Sequence, residues 1–154
     1  MLSKGERVPA FVARGTEGEV SLARLLKDGA VVLYFFPRAM TSGCTQEALE
    51  FNQLLPEFEA LGVRVYGVSV DSVARLQRFR EKFGLRLSFI SDEHRTIGAA
   101  YGTLKSGASK SHERDTVLID SQGTVLLAYE RVVPRGHAAR VLEEARRVRD
   151  EGLI

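Results

Sequence analysis

The sequence predicts an α/β fold, a central mixed β-sheet flanked by helices on both faces. Two observations carry that expectation. Residues 30–36 (AVVLYFF) are apolar on both faces, rich in β-branched and aromatic side chains, and stopped by Pro37, as a strand covered on both sides reads. Strand-like and helix-like segments then alternate, which implies parallel strands joined by crossovers, and a late strand–turn–strand unit adds antiparallel neighbours.

The elements follow in order. Residues 11–13 and 19–21 flank Gly15 and Gly18 and read as a small hairpin. Ser21 is placed to cap a short helix through Leu26. After the 30–36 strand, a helix opens near 41–43 and runs to about Leu61, with Ala48, Phe51, Leu55 and Phe58 recurring at three- and four-residue steps. Pro56 falls inside that pattern, where a proline removes a hydrogen bond and costs about 3 kcal/mol, so a kink or restart is expected there. Gly62 ends the helix, and residues 63–70 form a second buried strand. Asp71 and Ser72 are candidate caps for a helix carrying Val73, Leu76, Phe79 and Phe83, with Gly84 just past its end. Residues 87–90 make a short strand and 96–101 a short helix. Residues 116–120 and 124–130 pair around Ser121, Gln122 and Gly123. A final helix over 136–151 buries Val141, Leu142, Ala145 and Val148, and sets Glu143 and Arg147 four apart on its wet side.

No repeat, low-complexity tract or linker interrupts the 154 residues, so one domain spanning 1–154 is expected. Acidic and basic residues nearly cancel at a formal charge of +2, which gives no reason to expect nucleic acid or a membrane surface as partner. The N-terminal residues lack the apolar core of a signal peptide, and the 30–36 run is far too short to cross a bilayer, so the cytoplasm is the expected compartment. His94, His112 and His137 are scattered without ligand spacing, so no metal is expected, and no motif calls for an organic cofactor. The Lys105 to Arg114 stretch is basic and contains Ser and Gly; it reads as a solvated loop, or as one that shapes access to a site.

The chain has one cysteine, which excludes an internal disulfide, a cysteine-based metal cluster and the Cys-x-x-Cys of a disulfide oxidoreductase. A free cysteine by itself is more readily an inert core residue than a reactive one. The surroundings of Cys44 are informative. It follows the 30–36 strand closely and sits at the opening of a helix, where unpaired N–H groups and the helix dipole stabilise a thiolate. Thr41 supplies a hydroxyl one turn before the sulfur, and Gly43 lets the backbone come close to a small ligand.

Pro37, Thr41 and Cys44 match the Pro-x-x-x-Thr/Ser-x-x-Cys signature of peroxiredoxins. The wider string YFFPRAMTSGCTQEALEF resembles the bacterioferritin-comigratory-protein, or PrxQ, branch of that family, as do the strand end at Asp71, FISDEHRTIGAAYG and RDTVLIDSQGTV. The resemblance implies a thioredoxin-like fold and a thiol-dependent peroxidase acting on hydrogen peroxide and organic hydroperoxides. It implies that Cys44 attacks the peroxide and becomes a sulfenic acid, that Thr41 binds the peroxide, and that Pro37 shields the pocket. It also implies that Arg114 points at the sulfur, with Glu47 orienting that arginine. Many relatives in this branch carry a resolving cysteine five positions after the nucleophile, where this chain has Leu49, and others place it on the next helix, which has none here. Cys44 is therefore expected to be resolved from outside, by thioredoxin, glutaredoxin or a low-molecular-weight thiol, or by Cys44 of a second copy. The absence of the long C-terminal arm of dimeric two-cysteine relatives points to a monomer.

Other readings of the same residues stand beside these. Thr41 could only cap the helix, Arg114 could pair with neighbouring Glu113 or Asp115 at the surface, and Glu47 could be an ordinary helix-surface residue. Tyr34, Phe35 and Phe36 read as core, with at most one lining a pocket. At the level of function the alternatives are a peroxide sensor that signals through Cys44 oxidation with little turnover, and a thioredoxin-fold binding domain with an inert Cys44.

Overall fold

The computed structural model describes residues 1–107 and 110–154, so the basic 105–114 stretch lies partly outside the described residues. Strand β3 (Ala30–Phe35) is buried along its whole length and forms the middle of the molecule. Its side chains alternate between two cores. Ala30, Val32, Tyr34 and Phe36 join one apolar cluster, and Val31, Leu33 and Phe35 join another. A period of two on a strand covered on both faces is the origin of that split.

Seven strands form one sheet in the order β2-β1-β5-β4-β3-β6-β7. β4 (Val63–Ser69) lies parallel to β3, and β5 (Ser88–Ser91) parallel to β4. β1 (Val12–Gly15) runs antiparallel to both β5 and β2 (Gly18–Ser21). On the other side β6 (Thr116–Ile119) is antiparallel to β3 and to β7 (Val125–Tyr129). The first cluster takes in residues of α2 (Ser42–Ala60), α3 (Val73–Phe83) and α5 (His137–Asp150). The second takes in residues of α1 (Leu22–Lys27) and α4 (Thr96–Tyr101). This is the mixed sheet with helices on both faces that the sequence predicts.

Local chemistry sets most boundaries. The Ser21 hydroxyl accepts from Arg24 N and caps α1. Gly84 closes α3 in the left-handed conformation, at φ 61°. In the β6–β7 turn the Asp120 carboxylate accepts from the amides of Gln122 and Thr124, both at 2.9 Å. Two expectations need correction. α2 continues through Pro56 without a restart, because Phe51 and Leu55 before it and Phe58 after it all stay in one core, and their packing outweighs the lost hydrogen bond. Ser72 alone caps α3, through Arg75 N, while Asp71 is buried and engaged elsewhere. On α5, Glu143 and Arg147 both lie exposed, as expected, and Arg147 pairs with Glu144 three residues before it, at 3.2 Å.

Phe51 anchors α2, with no exposure and its ring stacked on Tyr34 at 4.5 Å between centroids. Phe51→Ala is expected to lower the free energy of unfolding by about 3–5 kcal/mol, read from the urea midpoint at unchanged slope.

Candidate active site

The carboxyl ends of β3 and β4, the start of α2 and the segment before β6 converge on Cys44. β3 ends where Phe36 N donates to Val68 O at 3.0 Å, and Pro37 follows, partly buried. The chain turns at Met40, held at φ 74°, and enters α2 with Thr41 at the N-cap position. Cys44 then lies in the first helical turn, its side chain facing the sheet and 1% exposed.

Arg114 reaches this sulfur from the segment before β6, the strand beside β3. The antiparallel register pairs Tyr34 with Thr116, so the residues before β6 run past the end of β3. The Arg114 fork gives each partner its own nitrogen. Nη2 donates to Cys44 Sγ at 3.4 Å and Nη1 to Glu47 Oε1 at 2.8 Å. Glu113 and Asp115 are occupied with Arg131, through its Nε at 2.9 Å and its backbone N–H at 2.8 Å, so Arg114 is not their surface partner. Gly43 makes the approach possible. A Cβ there would lie 3.2 Å from Arg114 Nη2 and 3.4 Å from Pro134 Cγ.

Glu47 is fully buried. Burial pushes its carboxyl up to about 7, and Arg114 only partly offsets that. Its second oxygen has no hydrogen-bond partner among the described residues, as fits a carboxyl that holds its proton. For Arg114, burial works against the charge, but Cys44 and Glu47 outweigh it and push the guanidinium pKa up.

Thr41 stands apart from this cluster. Its exposed hydroxyl donates to Arg38 O at 3.0 Å and does not cap the helix. Its carbonyl accepts from both the backbone N–H and the hydroxyl of Thr45, at 2.9 and 2.7 Å. No side chain caps α2, which leaves its first-turn N–H groups without an intrahelical partner beside the sulfur. The structure thus brings Cys44, Arg114, Glu47 and Gly43 into contact. Pro37 and Thr41 lie on the loop that leads to them.

Two buried neighbours escape the sequence reading. The Tyr34 hydroxyl is sealed without a hydrogen-bond partner among the described residues, and burial, then Glu47 and Cys44, hold its pKa well above the ordinary phenol value. His137 opens α5, its Nε2 2.8 Å from the Thr116 hydroxyl and its ring edge-on to Phe51 and Tyr129. Burial, then Arg140 and Arg114, lower its pKa to about 4, so it is neutral near pH 7. Neither signals itself locally, because an apolar run and a lone histidine look like core. A second cluster lies elsewhere, with Asp92 Oδ2 3.0 Å from His112 Nε2 and the Thr103 hydroxyl 2.7 Å from His112 Nδ1. All three residues are buried, so this chain of contacts ties Thr103 and His112 to the start of α4 rather than meeting a substrate.

Residues 4–128 match the AhpC/TSA family. The chain is 36% identical over 143 residues to a putative peroxiredoxin bcp of Coxiella burnetii, spanning 90% of this chain and 95% of that one. Among solved structures it is similar to the peroxidoxin BcpB of Mycobacterium tuberculosis, with a TM-score of 0.89 at 32% identity over 96% of this chain and 99% of the other. It is also similar to PrxQ of Xylella fastidiosa, solved as a cysteine-to-serine mutant, with a TM-score of 0.91 at 29% identity over 97% and 98% of the two chains.

His137 and Glu47 make opposite contributions to stability against pH. His137 has a depressed folded pKa, so its contribution is present above about 6.5 and is lost as pH falls through about 4. Glu47 has a raised one, so its contribution is present below about 4.5 and is lost as pH rises through about 7. Urea unfolding between pH 4 and 8 separates them. The stability advantage of wild type over His137→Gln is expected to shrink by about 2–3 kcal/mol from neutral pH to pH 4, at about 1.4 kcal/mol per tenfold change in proton affinity. Glu47→Gln is expected to gain relative to wild type as pH rises from 5 to 8.

Proposed function

The chain belongs to the AhpC/TSA family of peroxiredoxins, which are thiol peroxidases, and from that premise we propose that it reduces hydroperoxides at Cys44 as a one-cysteine enzyme resolved by an external thiol. The observation that carries the proposal is the contact of Arg114 Nη2 with Cys44 Sγ at 3.4 Å, inside a site closed by Glu47. A guanidinium held against the sulfur is suited to stabilise negative charge that develops in the reaction.

In the proposed reaction the Cys44 thiolate attacks one peroxide oxygen. An S–O bond forms as the O–O bond breaks, and the bonding pair leaves on the second oxygen, which takes a proton and departs as water or alcohol. The sulfur is oxidised to a sulfenic acid. Negative charge grows on the leaving oxygen, where the first-turn N–H groups of α2 and the Arg114 fork are placed to stabilise it. The Thr41 hydroxyl oxygen, exposed on the approaching loop, is available to accept from the peroxide O–H. Pro37 walls the pocket. Gly43 serves by making room for Arg114 more than by touching peroxide. An external thiol attacks the sulfenic sulfur and releases water, and a second thiol cleaves the mixed disulfide. The reductant we expect is thioredoxin, glutaredoxin or a small thiol. One continuous seven-stranded sheet supports reading the chain as a single domain.

One observation favours a second reading, that of a peroxide sensor. The chain has no second cysteine, so oxidised Cys44 persists when external thiol is scarce. Peroxide consumption with dithiothreitol, and then with thioredoxin and its reductase, decides between them. Sustained turnover that is lost in Cys44→Ser supports the enzyme, a single turnover with every donor supports the sensor, and no reaction overturns both. Arg114→Lys is expected to slow the peroxide step by about 10²–10³-fold, because lysine cannot serve sulfur and carboxyl at once; stopped-flow measurement of the first turnover checks this.

A further inference from the structure

The loop that carries Thr41 to the start of α2 is held by a pair of residues outside the reacting cluster. Asp71 follows the end of β4 with its carboxylate 1% exposed. Its Oδ2 accepts from Ala39 N at 2.8 Å and from the Ser69 hydroxyl at 2.7 Å. Its carbonyl accepts from the Ser91 hydroxyl at 2.6 Å, which fixes it to β5. Arg75, one turn into α3, closes the clamp. Its Nε lies 3.0 Å from Asp71 Oδ1, an ion pair rather than a well-aligned hydrogen bond, and its Nη2 donates to Ala39 O at 3.1 Å. Both backbone polar groups of Ala39 are therefore gripped from α3 and the end of β4. The next residue, Met40, is a non-glycine at φ 74°, a conformation that persists only when its surroundings over-determine it.

We propose that Asp71 and Arg75 are positioning residues for the peroxide step, a clamp on Ala39 that holds the 37–41 loop and the first turn of α2 in the geometry Cys44 needs. The proposal rests on the peroxidase reading for its peroxide arm alone. The clamp works through the backbone, since Arg114, Glu47 and Tyr34 are the groups that face the sulfur. An exposure of 1% also means that a bulky reagent reaches Cys44 only when this loop moves. The same clamp therefore speeds reaction with peroxide and limits access by large thiol or disulfide reagents. A role confined to stability would leave the peroxide rate unchanged in a variant that remains folded, and would raise the disulfide rate only as far as the unfolding free energy falls.

The test compares wild type, Asp71→Asn and Arg75→Ala, each checked for fold by circular dichroism and for melting well above the assay temperature. Two rate constants of Cys44 are measured, with hydrogen peroxide and with 5,5′-dithiobis(2-nitrobenzoate). Loss of the clamp is expected to slow the peroxide reaction by about ten- to a hundredfold, as a misplacement of about 1 Å does, and to raise the rate with the bulky disulfide severalfold. Arg75→Lys, which keeps the charge and one donor, is expected to recover part of each effect. Rates within twofold of wild type for both reagents in a folded variant overturn the clamp. If Asp71→Asn does not fold, Arg75→Ala decides, since its side chain is 42% exposed and packs less tightly. If wild type itself does not react with peroxide, the peroxidase reading fails. The disulfide arm still decides the clamp, because a rise beyond the fall in unfolding free energy supports it and a smaller one, or none, overturns it.

Discussion

Arg114 carries its charge into the interior and divides it between a carboxyl and a sulfur, and the arrangement of the site follows from that shared contact. Ions are costly to seal away from water unless paired in good geometry. The guanidinium meets that condition because its fork presents separate nitrogens to Glu47 and Cys44. Glu47 bears the less favourable share. It is the more deeply buried partner and holds its proton to about pH 7. Gly43 suits the same contact, since a Cβ there would lie 3.2 Å from Nη2 and press the guanidinium to shift.

Sheet register delivers the arginine to this place. Pairing of Tyr34 with Thr116 sets the segment before β6 against the carboxyl end of β3. Alternation then sends Arg114 inward and turns Glu113 and Asp115 to Arg131. A slip of one residue would exchange those directions, turning the cation away from Cys44 and aiming an acidic neighbour at the sulfur. The fully buried β3, with its two opposed sets of side chains, makes such a slip costly, so the strand that organises the fold also aims the site.

How much of this was legible in the sequence depended on distance along the chain. The doubly covered β3 was readable from seven residues, 30–36, and the caps at Ser21, Ser72 and Gly84 from single positions, because those signals are local. The bounds of α4, Thr96–Tyr101, came out as expected for the same reason. Pro56 was misjudged, since a local hydrogen-bond rule cannot weigh the core that Phe51, Leu55 and Phe58 build around it. Asp71 looked like a cap, but its partner Ala39 lies thirty-two residues earlier. Cys44, Thr41, Pro37 and Gly43 were visible because they crowd into one short stretch. The Arg114 contact spans seventy residues and was available only through family resemblance; Tyr34 was not told apart from Phe35 and Phe36 as a pocket residue, and His137 gave no sign.

The single cysteine changes the kinetic order of the cycle. A second thiol on the same chain would meet oxidised Cys44 in an intramolecular step, and well-oriented intramolecular reactions reach effective molarities of about 10⁵–10⁸ M. Leu49 stands, 42% exposed, where such a thiol would sit in many relatives, and it offers no chemistry. In the one-cysteine cycle we propose, return of the sulfur to its reduced state would be bimolecular, at a frequency proportional to the concentration of thiol outside. The fraction of the protein standing oxidised would then be a ratio of two fluxes, peroxide arriving and reductant arriving.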